Sequence, residues 1–102
     1  MKYVNIVYDD EYNDCDIISV PDDLLCDLEN QTDALYEWLQ ENYRNGTLPE
    51  GYYSIINDKK YPALETYGII NWLNNNLYDG KPVVTIIKEH VDFCDEYPKI
   101  KL

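Results

Sequence analysis

His90 and Cys94 lie four residues apart with Asp92 between them, and Cys15 and Cys26 stand elsewhere in the chain. These residue types ligate zinc or pair as a Cys–His nucleophile, so metal and thiol chemistry are tested first. A structural zinc site needs four ligands at recognisable spacing, and one His with three scattered Cys supplies none. The His90/Cys94 pair also follows an apolar run rather than opening a helix or a loop of defined geometry. Ser19 and Ser54 sit inside strand-like runs without a G-x-S-x-G context. Gly46, Gly51, Gly68 and Gly80 are too dispersed to cradle a phosphate. The run Asp9-Asp10-Glu11-Tyr12-Asn13-Asp14-Cys15-Asp16 is rich in oxygen ligands, which raises calcium. An EF-hand loop places glycine sixth and glutamate twelfth. Counted from Asp9 those positions hold Asp14 and Val20, and counted from Asp10 they hold Cys15 and Pro21. The pattern fails in both registers. No enzyme, no metal centre and no cofactor is expected.

What the carboxylates do instead is crowd. Ten of the twenty acids fall in the first 34 residues, where the only basic side chain is Lys2, which gives that third a charge of −9. The remaining 68 residues carry ten acids and seven bases, or −3 of the total −12. A one-signed field repels nucleic-acid and membrane phosphates and attracts basic surfaces. Direct nucleic-acid binding would need a basic stripe, which Lys59-Lys60 and Lys99/Lys101 are too few to make. The candidate partner-binding set is therefore Asp9, Asp10, Glu11, Asp14, Asp16, Asp22, Asp23, Asp27, Glu29 and Asp33.

The elements that must position these groups can be read from spacing. At 102 residues and 45% hydrophobic content the chain is expected to be one domain, residues 1–102, with a single modest core. Eleven Tyr and two Trp against one Phe suit a small fold whose amphipathic rings cover the core edges. The alternation over Tyr3–Tyr8 predicts a strand with Val4, Ile6 and Tyr8 on one face. A polar turn follows from Asp9 to Asp14, then a second strand over Asp16–Val20, together a β-hairpin. Pro21 with Asp22 and Asp23 opens a short helix to about Glu29. Thr32 can cap a second helix through Arg44, and one continuous helix over 22–43 is the alternative reading. Asn45-Gly46 supplies a left-handed stop. Tyr52–Ile56 reads as a strand, Asn57–Lys60 as a turn, and Thr66–Leu77 as a helix ended by Asp79-Gly80. Val83–Lys88 has the profile of a strand buried on both faces. Pro98–Leu102 is read as an edge strand or frayed chain.

An internal echo accompanies these elements. Thr32, Trp38-Leu39, Asn42 and Gly46 recur 34 residues on as Thr66, Trp72-Leu73, Asn76 and Gly80. Two helices docking on one sheet can converge on such a solution. The fold class that results is α+β: about four strands, with two or three helices packed mainly on one face, in the order ββααβαβ.

Small size, one-sided acidity, abundant Tyr and Asn and the lack of a catalytic constellation resemble the small inhibitors of phages and mobile elements. The resemblance is to anti-CRISPR and antirestriction proteins that imitate DNA. It rests on general character across the chain, with no motif to carry residues over. It implies an inhibitor that fills a basic, nucleic-acid-binding surface of a partner such as a nuclease. The alternatives are an immunity- or antitoxin-like protein anchored by Tyr36, Trp38 or Tyr43, and a homo-oligomeric module, for which a homodimer is the simplest form. With no signal peptide and no run of about 18 apolar residues, the expected location is the cytoplasm of a bacterial or phage-infected cell, not a membrane.

Overall fold

The β-branched runs beginning at Val4 and Ile17 form the middle of a four-stranded sheet ordered β5 (Thr85–Val91), β2 (Asp14–Val20), β1 (Lys2–Asp9) and β6 (Lys99–Lys101). The structure, a computed structural model, describes residues 1–9, 14–92 and 94–101, with only the backbone of Tyr8 and Asp9. Strand β1 spans Lys2–Asp9 and pairs antiparallel with β2, Asp14–Val20, in a register that sets Val4 opposite Ile18 and Ile6 opposite Asp16. The link between them, where the sequence predicts a turn, falls at residues 10–13, outside the described residues. Opposed residues share a face, so Val4, Ile6, Ile18 and Val20 face the helices and join Leu35, Ile69, Trp72, Leu73 and Val84 in the main core. The other face carries Val7, Cys15 and Ile17 under Val91 and Tyr97. The central strands β1 and β2 are therefore the ones buried on both faces.

Helix α1 covers only Asp22–Leu25, shorter than the expected stretch to Glu29. The chain turns at Cys26 and Asp27 and re-enters a helix at Leu28, so a continuous helix over 22–43 is not formed. Helix α2, Leu28–Asn45, thus starts four residues before the cap predicted at Thr32. Thr32 is interior, and its hydroxyl donates to the Leu28 carbonyl at 2.8 Å. Gly46 ends α2 in the left-handed conformation, as its lack of a Cβ allows.

The next two strands depart most from the sequence reading. Tyr53–Ile56 (β3) pairs not with the main sheet but with Lys59–Pro62 (β4), a strand not foreseen. Asn57 and Asp58 both have positive φ, the requirement of a two-residue type I′ turn, so the predicted polar turn is the tip of a separate hairpin. At its base Tyr52 packs against the next helix, α3 (Thr66–Leu77), where Gly68 leaves room. A Cβ there would lie 3.1 Å from the Tyr52 ring, and the Tyr52 hydroxyl donates to the Gly68 carbonyl at 2.9 Å.

Helix α3 spans Thr66–Leu77 as predicted. Strand β5, Thr85–Val91, corrects the expectation of a doubly buried strand: it is an edge, and Ile87 is exposed. An apolar β-branched run does not by itself distinguish a central strand from an edge whose outer face is bare. The tail forms the other edge, β6, Lys99–Lys101, parallel to β1. Buried Asn5 places it: its amide donates to the Cys94 and Tyr97 carbonyls at 2.8 and 3.2 Å and its Oδ1 accepts from the Cys94 amide at 3.1 Å. The observed order is ββααββαββ.

The echoed helices share one detail. The Asn42 and Asn76 side chains each donate to the carbonyl of the Trp four residues earlier, at 2.8 Å in both cases. The tryptophans themselves differ, Trp72 being buried and Trp38 half-buried in an edge-on contact with Tyr52. Among the described residues no helix is long and apolar enough to cross a membrane.

Candidate functional site

The ten predicted contact residues separate into two places. Asp10 and Glu11 lie outside the described residues, and of Asp9 only the backbone, paired with Asp14, is described. Asp14 and Asp16 sit at the start of β2, at the end of the β1–β2 pair where the chain passes from one strand to the next, beside β5. Asp22, Asp23, Asp27, Glu29 and Asp33 belong to the α1–α2 segment.

At the first place, Asp16 cannot serve as an exposed contact. It is 4% exposed, with Oδ2 accepting from the Thr66 hydroxyl at 2.5 Å and Oδ1 from the His90 amide at 3.0 Å. Its position opposite Ile6 turns it inward, where it ties the start of α3 to β5. That His90 amide belongs to a residue with φ of 50°, a left-handed conformation uncommon outside glycine. The His90 ring Nδ1 lies 3.1 Å from Asp14 Oδ1. That hydrogen bond, then the Asp14 charge, raises the imidazole pKa above its ordinary 6.5, with smaller help from Asp16 and Glu89 against slight desolvation. Beside it, the Tyr67 hydroxyl donates to Glu89. Among the described residues no group of three His, Cys, Asp or Glu is placed to hold a metal ion. Burial, followed by the charges of Asp16 and Asp14, pushes the Cys15 thiol up, away from the thiolate that nucleophilic chemistry uses.

A titration follows from this geometry. The His90 ring signals, followed by NMR, are expected to titrate above pH 6.5 and to move down toward it in Asp14→Asn. Because folding raises this pKa, the contribution to stability is complete below about 6.5 and is lost as pH rises through the folded value. An unchanged titration in Asp14→Asn would remove Asp14 as the cause.

The second place is a surface. Asp22 and Asp23 are exposed in the first turn of α1, where negative charge suits the helix dipole, and Asp22 also pairs with the N-terminal ammonium at 3.1 Å. Asp27 is half-buried at the start of α2, and its carboxylate accepts from the side-chain amides of Gln31 at 2.8 Å and Asn30 at 2.9 Å. Those amides, Gln31 first, hold its carboxyl below the ordinary range. Its role is largely local. Glu29 and Asp33 are exposed, and the structure adds two carboxylates that segment counting missed, Glu37 and Glu41.

The four residues Glu29, Asp33, Glu37 and Glu41 repeat every fourth position on α2. With Leu28, Leu35 and Leu39 buried on the opposite side, they make one line of charge over the solvent face. Each step rises about 6 Å and turns about 40° around the axis, so the line spans about 18 Å. The signal was present in the sequence as i, i+4 spacing, but a count by chain segment divides it at residue 34. Among the described residues no cationic group lies within ion-pair distance of these four; the two ion pairs involve Asp22 and Asp14.

At its N-terminal end the line borders a cleft of about 520 Å³ between α1–α2 and β6. Leu25, Leu28 and Ile100 supply its apolar surface and Glu29 and Asp33 its helix-side rim; Lys99 and Lys101 line it from β6, where the register sets their side chains on the sheet face opposite to Ile100. The Tyr36 hydroxyl ties the two walls by donating to the Lys101 carbonyl at 3.1 Å. This contact, with the edge-on Trp38–Tyr52 contact, engages two of the three predicted aromatic anchors within the chain; Tyr43 is exposed. Comparison with protein-family models, with curated proteins and with solved structures finds no match for this chain.

Proposed function

We propose that this protein acts by binding: the α1–α2 face occupies a basic, nucleic-acid-binding surface of a partner protein, in the manner of a DNA-mimicking inhibitor such as an anti-CRISPR protein. The observation that carries this reading is the line Glu29, Asp33, Glu37 and Glu41. Like charges at i, i+4 destabilise a helix by about 0.2–0.5 kcal/mol per pair, and three such pairs stand here with no ion pair to any of the four among the described residues. Each strand of duplex DNA presents a phosphate about every 3.4 Å of axis, so a carboxylate about every 6 Å stands near every second phosphate of one strand. Asp22 and Asp23 extend the same sign of charge across α1. A groove lined with Lys and Arg meets in this face carboxylates spaced to match about half the phosphates of one strand, on a rigid rod.

The test is displacement of labelled duplex DNA from a panel of CRISPR and restriction nucleases. The chain is expected to displace DNA from at least one of them, with potency falling steeply between 50 and 200 mM salt, about as phosphate contacts themselves do. Changing Glu29, Asp33, Glu37 and Glu41 to Lys should abolish displacement, a loss of several kcal/mol for closely apposed charges. These side chains are exposed, so the far-ultraviolet circular dichroism of the variant should match that of the parent. Equal displacement by the parent and the reversed variant would sink the proposal.

A further inference from the structure

Between α2, α3 and the segment leading into β3 lies a hollow of about 270 Å³, lined by Trp38, Pro49, Tyr52, Trp72, Asn75 and Asn76. Both tryptophans of the chain thus meet at one place, although 34 residues separate them. The rings are held there by the fold itself. The Tyr52 hydroxyl donates to the Gly68 carbonyl at 2.9 Å, and the missing side chain of Gly68 seats the ring against α3. Trp38 stands edge-on to that ring, with centroids 5.0 Å apart and planes at 75°, and Trp72 is anchored in the main core. Trp38 and Tyr52 are each only half-buried, so aromatic surface is left open.

The lining also restricts what can enter. None of its six side chains is ionised, and its only amides are those of Asn75 and Asn76. The Asn76 NH2 already donates to the Trp72 carbonyl at 2.8 Å, which leaves its oxygen as the end to meet a ligand. A sugar needs several directed donors and acceptors, and this lining offers few. A nucleotide brings phosphates, which a chain of net charge −12 repels. A cation that lacks N–H groups meets neither obstacle: the net charge attracts it, the ring quadrupoles attract it, and it requires no hydrogen bonds. We infer that this hollow is an aromatic cage for a trimethylammonium group, carried by a small molecule of the choline type or by a trimethyl-lysine side chain. Its volume falls below the roughly 300 Å³ at which drug-sized sites begin, which suits a compact head. Rings fixed in advance keep the ordering cost of binding small. The Asn76 oxygen is an acceptor for the polarised methyl hydrogens, a weak contact that adds to the ring attraction.

The experiment is a fluorescence titration of the intact chain at constant ionic strength. Trp38 and Trp72 are its only tryptophans and both line the hollow, so indole emission reports on this site. Choline chloride and N-acetyl-trimethyl-lysine amide are the probes. Saturable change with either supports the cage, and the one that saturates at lower concentration identifies the source of the group. The uncharged isostere of choline, with tert-butyl in place of trimethylammonium, should bind about tenfold more weakly or not at all, because it fills the same space without the charge. That comparison uses the parent protein alone and depends on no variant. Trp38→Leu, with its fold checked by circular dichroism, should weaken choline binding by about tenfold while Trp72 still reports. Equal binding of choline and its isostere would reduce the hollow to an apolar gap and overturn the inference. Absence of saturation by both cations overturns it as well, as does undiminished choline binding by folded Trp38→Leu. None of these residues belongs to the acidic line of α2, so this test and the nuclease displacement test fail independently.

Discussion

Trp72→Ala is expected to destabilise the protein by about 3–5 kcal/mol, the range for removing a fully packed indole. Trp72 is 9% exposed and belongs to the main core with Ile69, Leu73, Leu35 and Val84. It also lines a small hollow with Trp38, Tyr52 and Pro49, whose rings leave that side of the site little freedom to collapse. The Asn76 amide is bonded to the backbone carbonyl of residue 72 and survives the substitution, which confines the loss to packing. Trp38→Ala, at the equivalent point of the echoed helix, should cost less, because its ring is half-buried. Urea unfolding of both variants measures the difference. An unchanged midpoint for Trp72→Ala would take the ring out of the core and undo the α3 register.

The second large effect is expected at Asp16, where replacement by alanine should cost about 2–5 kcal/mol. Its removal takes this acceptor from the buried Thr66 hydroxyl and the part-buried His90 amide, and losing the partner of a buried donor costs about 1–3 kcal/mol. The backbone of His90, held at positive φ, loses the bond that helps fix it. Asp16→Asn is the informative comparison. An amide presents one acceptor oxygen where the carboxylate presents two, so it can satisfy one donor and must turn its own NH2 toward the other. The ordering expected in urea is parent above Asn above Ala. By contrast, reversing Glu29 and Asp33 should leave the midpoint nearly unchanged, as they touch no buried donor. If Asp16→Ala unfolds at the parent midpoint, the carboxylate is not the tie between β2, α3 and β5.

The residues whose roles were legible in the sequence are those with local causes. The alternation of Val4 and Ile6, the span of Thr66–Leu77 and the stop at Gly46 are set by side-chain periodicity and by the φ that glycine tolerates, and all appear where expected. The α+β class and the helices over one sheet face follow from the same patterns. The early start of α2 was also locally encoded, in Asn30 and Gln31 reaching back to Asp27, but it competed with an equally plausible hydroxyl at Thr32.

Strand partners and burial were decided elsewhere, because they depend on which surfaces meet. Nothing within Val83–Lys88 distinguishes the centre of a sheet from its edge, and nothing within Tyr53–Ile56 says that its partner will be Lys59–Pro62. Asn5, a polar residue in an apolar strand, holds the tail through contacts 89 and 92 positions away. The same holds for charge. Composition alone establishes that the chain is strongly acidic and where along its length the acids fall. Only folding turned Asp16 inward to its donors and brought Asp14 to His90, whereas the alignment of Glu29 and Asp33 with Glu37 and Glu41 was already encoded in their i, i+4 spacing. A carboxylate's chemistry is set by its solvation and its neighbours, and both come from segments distant in the chain.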